Sequence, residues 1–175
     1  MITLLLGDNI YKRRQEIARL LKNFSDQDIE QYDGETLSAD EFINLTRGLS
    51  LFSQNRAIVI RGLAQNTVAW EKVPDIIGNN DTHLHVILVE ENVDKRTKTY
   101  SLLRKNKSVI DCTQPTENEA LKWLKHEGLE HAFARLLIDR IGLDQMRLWY
   151  ALEKIHLLDE VSSSSIQHII DDEPE

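Results

Sequence analysis

Phosphate chemistry needs a glycine-rich turn whose backbone amides cradle the anion, with a lysine that reaches it. One segment stands where such a turn would sit: Gly7-Asp8-Asn9-Ile10-Tyr11-Lys12-Arg13, directly after the apolar run Ile2–Leu6. It holds one glycine, no Gly-Lys-Ser/Thr, and Asp8 in the place of an anion. A carboxylate there repels phosphate, so Asp8 or Asn9 reads as a helix N-cap, with a divergent nucleotide site as the alternative. Glu90-Glu91 closes the run Leu84–Val89, where a hydrolase would carry a metal-binding acid. With no phosphate grip to match, the pair reads as a solvated strand end. His83 and His85 alternate on that run, a spacing that can pair two imidazoles on a metal. No third ligand follows at a recognisable spacing, which favours surface histidines. Cys112 is the only cysteine, which excludes an internal disulfide and a thiolate zinc site. No Ser/His/Asp or Cys/His constellation is defensible from spacing. These residues predict no catalytic centre, no cofactor and no metal.

Two other segments carry binding chemistry. In Leu49-Ser50-Leu51-Phe52-Ser53-Gln54-Asn55-Arg56, two large apolar residues lie between serines. Neighbours on one element cannot both face a core, so Leu51 or Phe52 is left toward solvent. There it would act as a hot spot for a hydrophobic pocket on a partner; the alternative is a turn tucked under its own domain. The second segment is basic: Lys95, Arg96, Lys98, Arg104, Lys105 and Lys107 fall within residues 95–107. It reads as a solvated helix face or as a secondary phosphate-binding surface.

The elements that position these residues alternate along the first two thirds of the chain. Ile2–Leu6, Ile29–Tyr32, Ala57–Ile60, Leu84–Val89 and Val109–Cys112 are strand-like, short and apolar or β-branched. Between them Ile10–Phe24, Ala39–Arg47 (capped by Ser38 and stopped by Gly48), Asn66–Ile77 (interrupted by Pro74) and Lys98–Lys105 have helical spacing. The alternation predicts an α/β domain over residues 1–113, a mostly parallel sheet flanked by helices. After Gln114-Pro115 the pattern becomes wholly helical, opened by a Thr116–Glu119 capping box. Ala120–Glu127, Leu129–Ile141, Asp144–Leu158 and Ser162–Ile170 then predict a small helical bundle over residues 114–175. A chain of 175 residues holds one domain with a small satellite.

Charge separates the two parts. Residues 1–112 carry 15 basic against 16 acidic residues, and residues 113–175 carry 6 against 13. The acidic C-terminal third is a poor surface for nucleic acid. No apolar run approaches the roughly 20 residues that span a bilayer, and no signal peptide is evident. The expectation is a cytoplasmic protein without a membrane partner.

Five segments, in order, resemble the delta subunit of bacterial DNA polymerase III. They are Leu4-Leu5-Leu6-Gly7-Asp8-Asn9-Ile10-Tyr11, Tyr32-Asp33-Gly34-Glu35, Ser50-Leu51-Phe52-Ser53 with Arg56, Asp94-Lys95-Arg96 with Tyr100, and Leu152-Glu153-Lys154-Ile155. The resemblance covers about residues 1–170 and implies the AAA+ clamp-loader fold without ATP hydrolysis. It implies a subunit that binds the sliding clamp (the beta subunit) and favours the open ring, with Leu51 and Phe52 as the clamp contact. Family members continue into a helical collar that joins the loader subunits, whereas this chain stops at Asp171-Asp172-Glu173-Pro174-Glu175. The expectation is therefore a chain without the collar, weakened for assembly with other loader subunits, and touching DNA indirectly or weakly. The alternatives are a divergent nucleotide-binding ATPase and a generic adaptor acting through residues 113–175.

Overall fold

The computed structural model describes residues 1–47, 55–77, 83–158 and 162–171. The chain divides into two compact units, Met1–Asp8 with Arg13–Cys112 and Asn9–Lys12 with Thr113–Glu175. In chain order the elements up to Cys112 are β1 (Ile2–Leu6), α1 (Ile10–Leu21), β2 (Ile29–Asp33), α2 (Ala39–Arg47), β3 (Arg56–Arg61), α3 (Thr67–Trp70), α4 (Val73–Ile76), β4 (Leu84–Glu90), α5 (Lys98–Lys105) and β5 (Val109–Asp111). The first turn of α1 belongs to the second unit.

The five strands form one parallel sheet in the order β2-β3-β4-β1-β5. The chain leaves β1 for the far edge at β2, then walks back through β3 and β4 and passes β1 to reach β5. Right-handed crossovers that travel in opposite directions along a parallel sheet must lie on opposite faces. The two cores follow that rule. Leu4, Ile58, Ile60, Val86 and Leu88 pack with Phe42 of α2, Trp70 of α3, Val73 of α4 and Leu103 of α5. The alternate residues Leu5, Val59, Ile87 and Val89 face the other way, with Cys112, and meet Ile17, Leu20 and Leu21 of α1. β4 is central and all seven of its residues are buried, as an apolar run covered on both faces requires.

Between β2 and β3 the backbone closes tightly. The amide of Gly34 donates to the carbonyl of Arg61 at 2.7 Å. A Cβ at Gly34 would lie 2.5 Å from the backbone nitrogen of Leu63, so only glycine fits. The helix expected over 66–77 with an interruption at Pro74 is two short pieces, α3 and α4, parted at Glu71-Lys72. Pro74 is what interrupts it: proline tolerates the first turn of a new helix but not the interior of an old one, and Pro74 stands in the first turn of α4.

The second unit adds α6 (Glu117–His126), α7 (His131–Ile141), α8 (Gln145–His156) and α9 (Ser163–Asp171). Leu124, Leu137, Leu148, Leu152 and Ile166 form its apolar centre. The Thr116–Glu119 capping box opens α6, with both reciprocal hydrogen bonds made. Asp144 caps α8 by accepting from the amides of Met146 and Arg147. The Tyr11 ring lies 5.4 Å from Trp123 and 6.0 Å from Trp149, centroid to centroid.

Candidate partner-binding site

Leu51 and Phe52, the apolar pair that the sequence offers to a partner, lie outside the described residues, as do Gly48 and Ser50. The elements on either side of them are described. Ser38 and Glu41 make a capping box at the start of α2: the Glu41 amide donates to Ser38 Oγ at 3.2 Å, and the Ser38 amide donates to Glu41 Oε2 at 2.9 Å. A hydrogen bond from the Ser38 hydroxyl to Glu41 Oε2, with the one from the Ser38 amide, holds the Glu41 carboxyl below its usual pKa. Phe42 anchors the helix in the core with no exposed surface. Near the other end, the buried Thr46 hydroxyl lies within hydrogen-bonding distance of the carbonyls of Phe42 (2.8 Å) and Ile43 (3.1 Å).

At the start of β3, Arg56 ties three elements together. Its Nε and Nη2 donate to the Glu30 carboxylate on β2 at 2.6 and 3.2 Å. Its Nη1 donates to the carbonyl of Leu45, in the last turn of α2, at 3.3 Å. Tyr32, two residues along β2, donates its hydroxyl to the same carboxylate. Glu30 is opposite Ile58, so Arg56 is its diagonal neighbour on the same face of the sheet. Hydrogen bonding from Arg56, with a smaller contribution from Tyr32, lowers the Glu30 pKa, and the same contact with Glu30 raises that of Tyr32.

The position of a phosphate loop is occupied differently. Three residues, Gly7, Asp8 and Asn9, separate β1 from α1. The Gly7 amide donates to the carbonyl of Glu90. Asn9 is the cap that the sequence left open against Asp8: its Oδ1 accepts from the Lys12 amide at 2.9 Å. Its Nδ2 donates to Gln145 Oε1 at 2.7 Å and to the carbonyl of Thr113 at 3.3 Å. The side chain is thus fully engaged and 1 % exposed.

Two sequence readings fail here. Glu90 is not a solvated strand end but a buried side chain, 2 % exposed. Its Oε1 accepts from the Ala64 amide at 3.1 Å. Burial pushes its pKa up to about 7, with Glu35 adding to the rise and Arg13 opposing it. Glu91 does keep the solvated role, paired with Arg13 at 3.3 Å. His85 is not a surface residue either: it is 4 % exposed, with Nε2 2.9 Å from Thr3 Oγ1. Burial, reinforced by the N-terminal ammonium, depresses its pKa to about 4. Nothing in the linear sequence marks either change, because β4 becomes central only when β3 and β1 pair on its two sides.

Lys95, Arg96, Lys98, Arg104 and Lys105 are all exposed. Arg96 turns back on Asp94, with hydrogen bonds of 2.8 and 3.0 Å that hold Asp94 at a pKa of about 2. Arg104 and Lys105 sit in the last turn of α5, where cations complement the helix dipole. Among the described residues, no three His, Cys, Asp or Glu side chains form a set that could hold a metal ion. No helix among them is long and apolar enough to cross a membrane.

Comparison with known proteins places this arrangement. No curated protein sequence matches the chain. Among solved structures, it is similar to the Bacillus subtilis DNA clamp loader delta protein (YqeN), with a TM-score of 0.62 and 14 % identity over 95 % of this chain. The chain spans 57 % of the length of that protein. It is also similar to a point mutant of Thermotoga maritima RuvB, with a TM-score of 0.56 and 14 % identity over 98 % of this chain and 62 % of that one. A HORMA:CdnC:Trip13 complex from E. coli gives a TM-score of 0.56 at 12 % identity, over 98 % of this chain and 74 % of that one. At these identities the likeness shows fold alone, an AAA+-type sheet followed by helices. The sequence itself goes further: a family model described as DNA polymerase III, delta subunit, matches residues 4–113, from within β1 to just past β5. The chain belongs to the DNA polymerase III delta subunit family.

Proposed function

We propose that this chain is a non-catalytic clamp-loader component that grips a DNA sliding clamp through Leu51 and Phe52 and favours the open ring. The family match over residues 4–113 carries the reading, because it spans the Ser50-Leu51-Phe52-Ser53 segment together with both flanking elements. An apolar pair of this size suits the anchor-in-pocket contact that dominates interface energy. Opening then follows as a population shift: a grip that fits the open geometry better than the closed one moves the ring by that difference in affinity. Absence of catalysis is supported by the three-residue connection after β1 and by the full engagement of Asn9. Other loader subunits are further partners, in a cytoplasmic setting. The surface of Lys95, Arg96, Lys98, Arg104 and Lys105 contributes at most weak, salt-sensitive contact with DNA.

The decisive experiment is surface plasmon resonance of the chain against an immobilised sliding clamp from the same source. Leu51→Ala with Phe52→Ala is expected to weaken binding by about 100-fold or more, the scale of two hot-spot residues, without lowering the melting temperature. Unchanged binding by a folded double variant would overturn the assignment. Calorimetric titration with Mg-ATP is expected to give no saturable heat. A saturable signal would favour the divergent ATPase instead.

A further inference from the structure

The outer side of β2 carries unused backbone. β2 ends the sheet and has β3 on one side only. Along a parallel strand, alternate residues aim both backbone groups at the same neighbour. The Gly34 amide bonds to the Arg61 carbonyl and Asp33 pairs with Arg61, so Glu30, Tyr32 and Gly34 face β3. Ile29, Gln31 and Asp33 therefore face outward. The Ile29 amide is used locally, by the Asp26 carbonyl, and the Asp33 carbonyl accepts from Thr36 Oγ1. The Ile29 carbonyl, the Gln31 amide and carbonyl, and the Asp33 amide have no hydrogen-bond partner among the described residues. Such edges are commonly guarded by lysine or proline, and Ile29-Glu30-Gln31-Tyr32-Asp33 holds neither. Two exposed charges stand beside this edge. Arg61 Nη1 donates to Gln31 Oε1 at 2.9 Å, and its guanidinium makes no ion pair among the described residues. The Asp33 carboxylate accepts only from the Glu35 amide, at 3.0 Å.

We infer that the β2 edge pairs with β2 of a second copy of this chain, antiparallel, about a twofold axis through Gln31. Gln31 then lies opposite its own counterpart, and the two exchange both amide-to-carbonyl bonds. The Asp33 amide reaches the Ile29 carbonyl of the second copy, and symmetry repeats the bond. Every open group is used, and the two left over are those already engaged. An axis through Ile29 or Asp33 would instead set an engaged group against an open one. Charge favours the same register. Asp33 of the second copy falls diagonally across from Gln31, within reach of a long side chain, and so beside the Arg61 guanidinium that rests on Gln31. On the other face Glu30 meets Tyr32 of the second copy, with its charge already held by Arg56. The contact is self-complementary and closes at two chains. One short strand edge covers less than a standard interface, which makes this a transient dimer.

Sedimentation velocity on the whole chain tests it. Wild type is expected to exchange between monomer and dimer, with dimer prominent on the order of 0.1–1 mM, the range of a transient interface. Gln31→Pro removes an amide that β3 does not use, so the edge tolerates it, and it is expected to weaken the dimer about 10-fold or more. Charge reversal identifies the register. Arg61→Asp and Asp33→Arg chains are each expected to stay monomeric, because each sets like charges together across the axis. Their equimolar mixture is expected to dimerise as wild type does, since both ion pairs re-form with the sense of one exchanged. A wild type that stays monomeric at about 1 mM would overturn the inference. So would a dimer indifferent to Gln31→Pro, or folded reversal variants whose mixture stays monomeric. Should Gln31→Pro fail to fold, Gln31→Cys places two thiols at the axis, on Cα atoms about 5.5 Å apart. The native Cys112 is buried and does not compete. A short thiol-to-thiol cross-linker is then expected to trap the dimer, and its failure to do so would overturn the pairing. None of these measurements involves the clamp, so the clamp reading and the dimer stand or fall separately.

Discussion

Asn9 condenses the character of this protein into one side chain. Its oxygen caps α1, and its nitrogen donates to Thr113 and Gln145, so one amide satisfies three groups. Asn9→Ala removes all three and is expected to cost about 2 kcal/mol in urea denaturation, near the top of the range for a lost cap. Asn9→Asp keeps the cap but loses both donated bonds, and its cost is expected to equal or exceed that of alanine, because the new carboxylate is buried against two acceptors. Glu90 makes a different prediction. Its pKa is raised above the ordinary carboxylate value to about 7. The stability it contributes is therefore fully present below about pH 4.5 and lost as pH rises through 7. Glu90→Gln keeps an acceptor for the Ala64 amide without the charge, and is expected to be about 2 kcal/mol more stable than wild type at pH 8 and equal to it near pH 4.5. A variant less stable than wild type at pH 8 would show that the charge, not the neutral acid, belongs in the fold.

At the scale of elements, local signals were reliable where the physics is local. The Thr116–Glu119 capping box, the Ser38 cap and the Asp144 cap each satisfy amides within three residues, so their spelling is readable in the chain. Ser38→Ala is expected to destabilise the first unit by about 1 kcal/mol, read as a shift in the chemical-denaturation midpoint. Gly34→Ala should do more harm. Its methyl would meet the backbone of Leu63, which cannot move aside as a flexible side chain could, and a loss of about 2–3 kcal/mol is expected. The Asp33-Gly34 pair announces a turn, but not that a second strand's exit would pass so close. Arg56 is similar: its type is visible, but its partner Glu30 is 26 residues away and meets it only through the pairing of β2 with β3.

At the scale of the molecule, two buried titrating groups near opposite ends of β4 act against each other. His85 has a folded pKa of about 4, below its ordinary value, so its contribution is present above about pH 6.5 and is lost as pH falls toward 4. Glu90 has the opposite slope over much of the same range. Wild-type stability is therefore expected to be nearly flat between about pH 4.5 and 6.5, and Glu90→Gln to reveal a rise across that interval. Thermal melts at half-unit pH steps would show it. A flat profile in the variant would mean that His85 is not held neutral.

Alternation of apolar runs with helical periodicity was sufficient for a parallel α/β sheet followed by helices, because period and length are properties of consecutive residues. The empty phosphate motif after β1 was legible for the same reason, and so was the resemblance over Leu51-Phe52. Burial was not. Whether Glu90 and His85 meet water depends on which strand becomes central, and strand order 2-3-4-1-5 is settled by crossovers between residues far apart in the chain. The same long-range pairing turned Arg56 from one more cation into the link between α2, β2 and β3, since a hydrogen bond across 26 residues has no local sequence signature.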